Sequence, residues 1–108
     1  MNYEIKLEGE KVTLLLLGDL DIEATETFEI DFLSKAKEHT NYHAWHIDLK
    51  EVPFVDSTGV GLLIHFVETL KELEFDVKVI NIQPSVYDIF SLMQVDAILG
   101  VELLKEKA

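Results

Sequence analysis

The alternation of strand-like and helix-like segments predicts an α/β domain with a mixed, open β-sheet. Short apolar or alternating stretches, typical of strands, are separated by stretches in which apolar residues recur every three or four positions, as in helices. Asp or Pro precedes or opens each of three helix-like stretches, as is usual at helix starts. The predicted order of elements is ββαβαβαβα, in a single domain over residues 1–108.

Two strands are predicted at the beginning of the chain. Tyr3, Ile5 and Leu7 alternate with charged residues, which is typical of a strand with one buried face. Residues 12–17 are apolar almost without interruption, which indicates a buried strand. Gly9 lies in a turn between them, so the two strands are expected to form a hairpin.

The first predicted helix follows Gly18-Asp19-Leu20-Asp21, where the second strand ends. The Asp21 side chain can cap this helix, and acidic residues then occupy its first turn and lysines its last, as the helix dipole favours. The expected apolar stripe consists of Ala24, Phe28, Phe32, Leu33 and Ala36.

The remaining elements follow from the same patterns. Pro84 suits the first turn of a helix, because a helix start does not need its missing N–H. The predicted elements are a strand at 45–49, a helix at about 57–73, a strand at 76–82, a helix from Pro84, a short strand at Ile98-Leu99 and a terminal helix over 102–107.

Composition and charge exclude several classes of protein. The chain has no cysteine, so it has no disulfide and no thiolate site. Its 21 acidic residues against 9 basic ones give a net charge of −12, which argues against binding nucleic acid or anionic membranes. No apolar run reaches membrane-spanning length, and no signal peptide is recognisable. We therefore expect a cytoplasmic protein that does not insert into membranes.

The stretch Val55-Asp56-Ser57-Thr58-Gly59-Val60-Gly61 is the most informative in the chain. It joins a strand to a helix, and in open α/β sheets that edge is where ligands and partners usually bind. Either Asp56 or Ser57 can cap the free N–H groups of the helix, and the dipole there also suits a phosphate.

The helix after this stretch is expected to have one apolar and one polar face. At about 100° per residue, Ser57 lies on the polar face and Thr58 near the boundary. Gly61 leaves bare backbone beside Ser57, and Ile64 adds an apolar side chain one turn along, so this face resembles a small docking surface. The apolar face is expected to contain Val60, Leu62, Leu63, Phe66, Val67, Leu70 and Leu73.

Three chemical roles are open for Ser57: a nucleophile, a plain helix cap or a phosphorylation site. The hydrolase elbow G-x-S-x-G is absent, because Val55 and Asp56 precede the serine. His65 lies eight residues along the helix, about 12 Å away, and cannot act as its base. A hydrolase is therefore disfavoured, but spacing alone does not choose between the cap and the phosphorylation site.

Two further groups of polar residues are candidate sites. His39, His43 and His46 have spacings that could suit a metal, but they fall on a helix end, a loop and a strand with no cysteine nearby. Asp19, Asp21 and Asp56 are expected at one end of the sheet, where paired carboxylates could act as acid and base or hold Mg²⁺. Helix capping and solvation explain them more simply, so we predict no metal site and no cofactor.

Several motifs together resemble the STAS family. These are Gly18-Asp19-Leu20-Asp21, Ile47-Asp48-Leu49, the D-S-x-G motif within Phe54 to Gly61, and Ile80-Asn81-Ile82 followed by Pro84 to Met93. The likeness covers nearly the whole chain and is closest to the single-domain anti-sigma factor antagonists of bacteria. It implies a STAS fold and a partner switch without enzymatic activity of its own.

In such a switch, the resemblance implies that the unmodified protein binds an anti-sigma factor with serine-kinase activity. The kinase phosphorylates the serine of D-S-x-G, which corresponds to Ser57, and a serine phosphatase resets it; Thr58 is a less favoured acceptor. The free protein is expected to be a monomer. STAS domains also regulate other outputs and serve as small subunits of lipid-transport complexes, so these remain alternatives. The expected partner-binding residues are Asp21, Asp56, Ser57, Thr58, Gly59, Gly61 and Ile64.

Overall fold

The computed structural model describes residues 1–106, in which five strands and four α-helices form one mixed α/β fold. The predicted fold class is confirmed. The strands are β1 (Asn2–Glu8), β2 (Lys11–Leu17), β3 (Ala44–Glu51), β4 (Asp76–Ile82) and β5 (Glu102–Lys105). The α-helices are α1 (Leu33–Glu38), α2 (Ser57–Glu72), α3 (Pro84–Leu92) and α4 (Val95–Leu99).

The five strands stand side by side in chain order. β1 and β2 form the predicted antiparallel hairpin, and Gly9 has the positive φ of +59° that its tight turn requires. β2, β3, β4 and β5 are all parallel to one another. Parallel neighbours need a crossover, so a helical segment lies in each of the last three connections.

β2 is buried on one face only. Val12, Leu14 and Leu16 are fully buried, whereas Thr13 and Leu15 are partly exposed. The predicted buried strand is therefore buried on one face and partly exposed on the other. The face of β2 that carries Thr13 and Leu15 borders an open groove. Most of its lining residues are charged side chains of the strands, and within residues 1–106 none comes from a helix.

Aromatic side chains hold α2 against the sheet. The Trp45 ring centroid on β3 lies 5.7 Å from that of Phe66 on α2 and 6.0 Å from that of Phe75, in edge-to-face arrangements. Phe32 adds a third contact, with its ring 5.5 Å from Phe66. These contacts fix the axis of α2, and therefore the position of its N-terminus at the edge of the sheet.

The helical segment between β2 and β3 combines three geometries. A 3₁₀ turn (Ile22–Ala24) is followed by a π-helical stretch (Thr27–Phe32) and then by α1. Apolar residues spaced by four would drift around a regular α-helix, and the wider π turns reduce that drift. This explains why a segment predicted as one regular helix departs from it. Of the predicted stripe, Ala24, Phe28, Phe32 and Ala36 are buried and Leu33 is half-buried.

The predicted C-terminal elements are wrong. Ile98 and Leu99 belong to α4 rather than to a strand, because Val95 and Leu99, four residues apart, are both buried and Gly100 ends the helix at a φ of +62°. The stretch predicted as a terminal helix contains β5 instead, paired with β4, whereas Lys107 lies outside the described residues. Pairing with a free sheet edge outweighs the helix propensity of these Glu, Leu and Lys residues.

Candidate functional site

The site lies where two chain segments continue the sheet beyond β2 and β3. The Leu20 N–H donates to the Phe54 carbonyl at 2.9 Å, and the Asp56 N–H donates to the Leu20 carbonyl at 3.2 Å. Leu20 and Val55 form a parallel bridge, and both side chains are buried. Because side chains alternate along extended backbone, the neighbouring Asp21 and Asp56 point to the opposite side. This pairing brings together Asp21 and Asp56, two of the three acidic residues that the sequence predicted at one end of the sheet.

Asp56 is the N-cap of α2. Its backbone is extended, with φ −120° and ψ 178°, and its Oδ1 accepts a hydrogen bond of 2.8 Å from the Gly59 N–H. Its carbonyl accepts the Val60 N–H at 2.9 Å, which is the first bond of the helix. The capping role that the sequence left open between Asp56 and Ser57 therefore belongs to Asp56. Asp21 caps the 3₁₀ turn in the same way, accepting the Glu23 N–H at 3.0 Å.

Ser57 is the first residue of α2 and is exposed. Within residues 1–106 its hydroxyl makes no hydrogen bond, so it has no capping role. It stands at the positive end of a helix of 16 residues, beside the Asp56 carboxylate. An exposed hydroxyl of this kind is accessible to an enzyme that transfers a phosphate.

The exposed surface of α2 follows the predicted phase. Ser57, Thr58 and Gly61 are exposed, and an added side chain at Gly61 would meet nothing within 4 Å. Ile64, expected to be fully on the polar face, is half-buried and packs against the core. The predicted apolar face is buried at Val60, Leu63, Phe66, Val67 and Leu70, and half-buried at Leu62 and Leu73.

Gly59, one of the expected partner-binding residues, does not present its backbone on the surface. It is buried, and a Cβ built on it would lie 1.8 Å from the Leu20 carbonyl oxygen. Gly59 is therefore the point at which α2 packs directly on the Leu20–Asp21 backbone. This contact sets the position of Ser57 relative to Asp21.

Two exposed apolar side chains at this edge were not singled out from the sequence. Ile22, in the 3₁₀ turn after Asp21, is 66% exposed, and Phe54, in the segment before Asp56, is 50% exposed. A single apolar residue in a connecting segment carries no periodic signal, so its exposure depends on how the segments pair. The only sequence signal was that each stands within two residues of an aspartate.

The other candidate residues have separate surroundings. The His39 ring bonds the Lys35 carbonyl at 2.7 Å, and the His43 ring lies 3.6 Å from the Glu10 carboxylate near the hairpin turn. His46 lies on β3, paired with Thr13 and Lys78 in the neighbouring strands. Over residues 1–106, the fold gathers no three His, Asp or Glu side chains in a geometry that would hold a metal. Ser57 follows the opposite end of β3, so these histidines are not brought to it.

Partial burial and the ammonium groups of Lys11 and Lys78 hold the pKa of the His46 imidazole below its ordinary value. The Asp76 carboxylate acts in the opposite direction, with a smaller effect. The folded protein therefore favours the neutral imidazole of His46.

Asp48, which belongs to one of the resembling motifs, has a structural role. Its carboxylate is buried and accepts the Lys50 N–H at 3.0 Å and the Asn81 side-chain amide at 3.1 Å. Asn81 has a φ of +55°, so this bond joins β3 to an unusual backbone position in β4.

The STAS domain model matches residues 3–108. The chain belongs to the STAS family. No curated protein sequence shows significant similarity to this STAS domain. In the part of the chain that the structure describes, none of its helices has the length and apolar character needed to cross a membrane.

Solved structures share the fold of this STAS domain. A candidate anti-sigma factor antagonist from Thermotoga maritima matches with a TM-score of 0.81 at 18% identity, covering 95% of this chain and 86% of that one. A serine-to-glutamate variant of Moorella thermoacetica RsbS matches with a TM-score of 0.78 at 17% identity, over 99% and 89% of the two chains.

The anti-sigma factor antagonist SpoIIAA matches in two states. Its unphosphorylated form gives a TM-score of 0.68 at 18% identity, over 99% of this chain and 90% of that one. The phosphorylated form of the Bacillus protein gives 0.70 at 20% identity, over 98% and 92%. At these identities the likeness shows a common fold.

Proposed function

We propose that this STAS domain is a non-catalytic anti-sigma factor antagonist whose partner binding is controlled by phosphorylation of Ser57. One observation carries the proposal: the Ser57 hydroxyl is exposed at the start of α2, while Asp56 supplies the helix cap. Ser57 can therefore be modified without loss of the cap. SpoIIAA, which shares the fold, has been solved both with and without phosphate, and this supports a switch of the same kind here.

In the proposed cycle, the unphosphorylated domain binds an anti-sigma factor that is a serine kinase, and thereby frees the sigma factor. The kinase transfers phosphate to Ser57, with Thr58 the less favoured acceptor, and a serine phosphatase removes it. Contacts come from Asp21 and Asp56 at the strand ends and from the exposed start of α2. We propose that the free protein is monomeric and acts in the cytoplasm.

The phosphate is expected to act mainly on the interface. It adds about −1.5 to −2 charges at neutral pH. The dipole of α2 favours that charge by roughly 0.3–1 kcal/mol, and the neighbouring Asp56 carboxylate opposes it, so the local effects largely cancel. A partner surface shaped for a neutral hydroxyl would have to bury an unpaired dianion, at a cost of roughly several kcal/mol. A loss of about 3 kcal/mol lowers affinity more than a hundredfold.

Mass spectrometry of the protein purified from its native cells tests the first step. A phosphate on Ser57 supports the switch. Its absence under every growth condition would instead favour a STAS regulator of another output, or a subunit of a lipid-transport complex that uses this face unmodified.

Binding of the cognate kinase tests the second step, with Thr58→Ala as the matched control. Ser57→Ala removes no hydrogen bond of the fold, so the variant should bind the kinase as tightly as the wild type does. Because alanine cannot be phosphorylated, the kinase should not be released from it. Ser57→Asp carries one charge and less bulk, and should weaken binding partially. Calorimetry measures both affinities, and loss of binding by a folded Ser57→Ala would contradict the proposal.

A further inference from the structure

Two large exposed apolar side chains lie next to the segments that build the Ser57 site. Ile22 and Phe54 both lie within two residues of the Leu20–Val55 bridge that joins the two segments of the site. Ile22 also follows the Leu20–Asp21 backbone that touches α2 at Gly59. The two side chains therefore belong to the same edge of the molecule as the Ser57 hydroxyl.

The charge around these side chains is mainly negative, with the Met1 ammonium, 3.4 Å from the Thr27 hydroxyl, as a positive group against segment 18–34. The segments 18–34 and 51–64, which build this edge, contain eight Asp and Glu residues and no Lys, Arg or His. A second copy of the chain would bring carboxylates against carboxylates, and an anionic membrane would be repelled in the same way. The surface matches a protein that presents an apolar pocket surrounded by lysines or arginines.

Interfaces of this type depend on a few apolar anchors. Two large side chains that remain half or more exposed in the free protein lose most of their contact with water when a pocket covers them. Phosphorylation would change the charge at Ser57 and leave the Ile22 and Phe54 side chains unaltered. In such an interface the two apolar side chains would orient the partner, and the charge at Ser57 would control its affinity.

We infer that Ile22 and Phe54 are the apolar anchors of the partner interface, and that the partner is a protein with a basic rim around an apolar pocket. The inference rests on the proposed function for the identity of the partner as a kinase. The surface itself rests on the exposure of the two side chains and on the charge of the edge.

A photo-crosslinking experiment in the native cells tests the inference. The photoreactive residue p-benzoylphenylalanine is placed at position 54 and, as a control, at position 92, because Leu92 is 85% exposed and lies at the end of α3, away from the site. We expect position 54, and not position 92, to give an adduct with another protein. Adducts only with a second copy or with lipid, or no adduct, would overturn the inference.

The captured protein is then purified, and its affinity for the variants is measured by calorimetry. Ile22→Ser and Phe54→Ser should each weaken binding by about tenfold or more, whereas Leu92→Ser should not. Binding should also weaken at high salt. Circular dichroism should show unchanged thermal unfolding for all three variants, because each side chain is at least half exposed. Equal losses for Leu92→Ser, or no loss for the other two, would overturn the inference.

The outcomes separate this inference from the proposed function. If the captured protein is not a kinase and Ser57 is never phosphorylated, the proposed function is contradicted, whereas the anchoring role of Ile22 and Phe54 is still supported. If a kinase binds in a Ser57-dependent way and Ile22→Ser and Phe54→Ser bind normally, the anchors fail while the proposed function stands.

Discussion

Asp56 and Ser57 perform separate tasks at the start of α2. The Asp56 carboxylate satisfies the Gly59 N–H, and an N-cap of this kind stabilises a helix by about 1 kcal/mol. The Ser57 hydroxyl is left exposed. Because the Ser57 hydroxyl takes no part in the cap, a charge change at Ser57 leaves the Asp56–Gly59 hydrogen bond in place.

His46 provides a test of the electrostatics of the sheet face. Its pKa in the folded protein is lowered by partial burial and by Lys11 and Lys78, so the folded state favours the neutral imidazole. The contribution of neutral His46 to the free energy of unfolding is therefore fully present above the pKa of the unfolded state, about 6.5. It is lost as the pH falls through the lower pKa of the folded state. Between pH 8 and pH 5, urea unfolding should show a larger loss of stability for the wild type than for His46→Gln. Identical pH profiles would show that folding does not shift the pKa of the His46 imidazole.

Gly59 and Gly61 form a matched pair within one turn of α2. A methyl group at Gly59 would overlap the Leu20 carbonyl, so Gly59→Ala should lower the free energy of unfolding by at least about 2 kcal/mol. At Gly61 the space is open, and alanine is favoured over glycine inside a helix. Gly61→Ala should therefore raise the free energy of unfolding by roughly 0.5–1 kcal/mol. Thermal unfolding measures both changes. If Gly59→Ala were as stable as the wild type, the direct packing of α2 on the Leu20–Asp21 backbone would be refuted.

The end of the chain shows how an element can be misassigned from sequence. Two adjacent apolar residues, Ile98 and Leu99, predict a short strand when taken alone, although the pair Val95 and Leu99 has helical spacing. A helix of five residues is too short to give a clear period. β5 has four residues and pairs with β4, and no local pattern in the sequence reveals that pairing.

For the whole molecule, phosphorylation of Ser57 is expected to leave the fold unchanged. The aromatic contacts that fix α2 lie in the core, and Phe66 is nine residues from the modified side chain. Amide NMR spectra of the unmodified and phosphorylated forms should therefore differ only near Asp21 and over residues 56–61. Changes spread through α3 and α4 would indicate a conformational switch and contradict a local block.

The sequence alone determined the features that local patterns encode. The hydrophobic period predicted the α/β class, the hairpin and the exposed position of Ser57. The helix starts were predicted from Asp21, Asp56 and Pro84. These features depend on residues within one element or one turn, so spacing and capping chemistry are sufficient to predict them.

The tertiary structure decided what packs against each element. It left one face of β2 uncovered, turned Gly59 inward against Leu20, half-buried Ile64, and exposed Ile22 and Phe54 beside the Ser57 site. Spacing along one element gives the direction of a side chain relative to its neighbours in that element. Burial depends on segments that are distant in sequence, such as the Leu20 and Val55 segments that build this site.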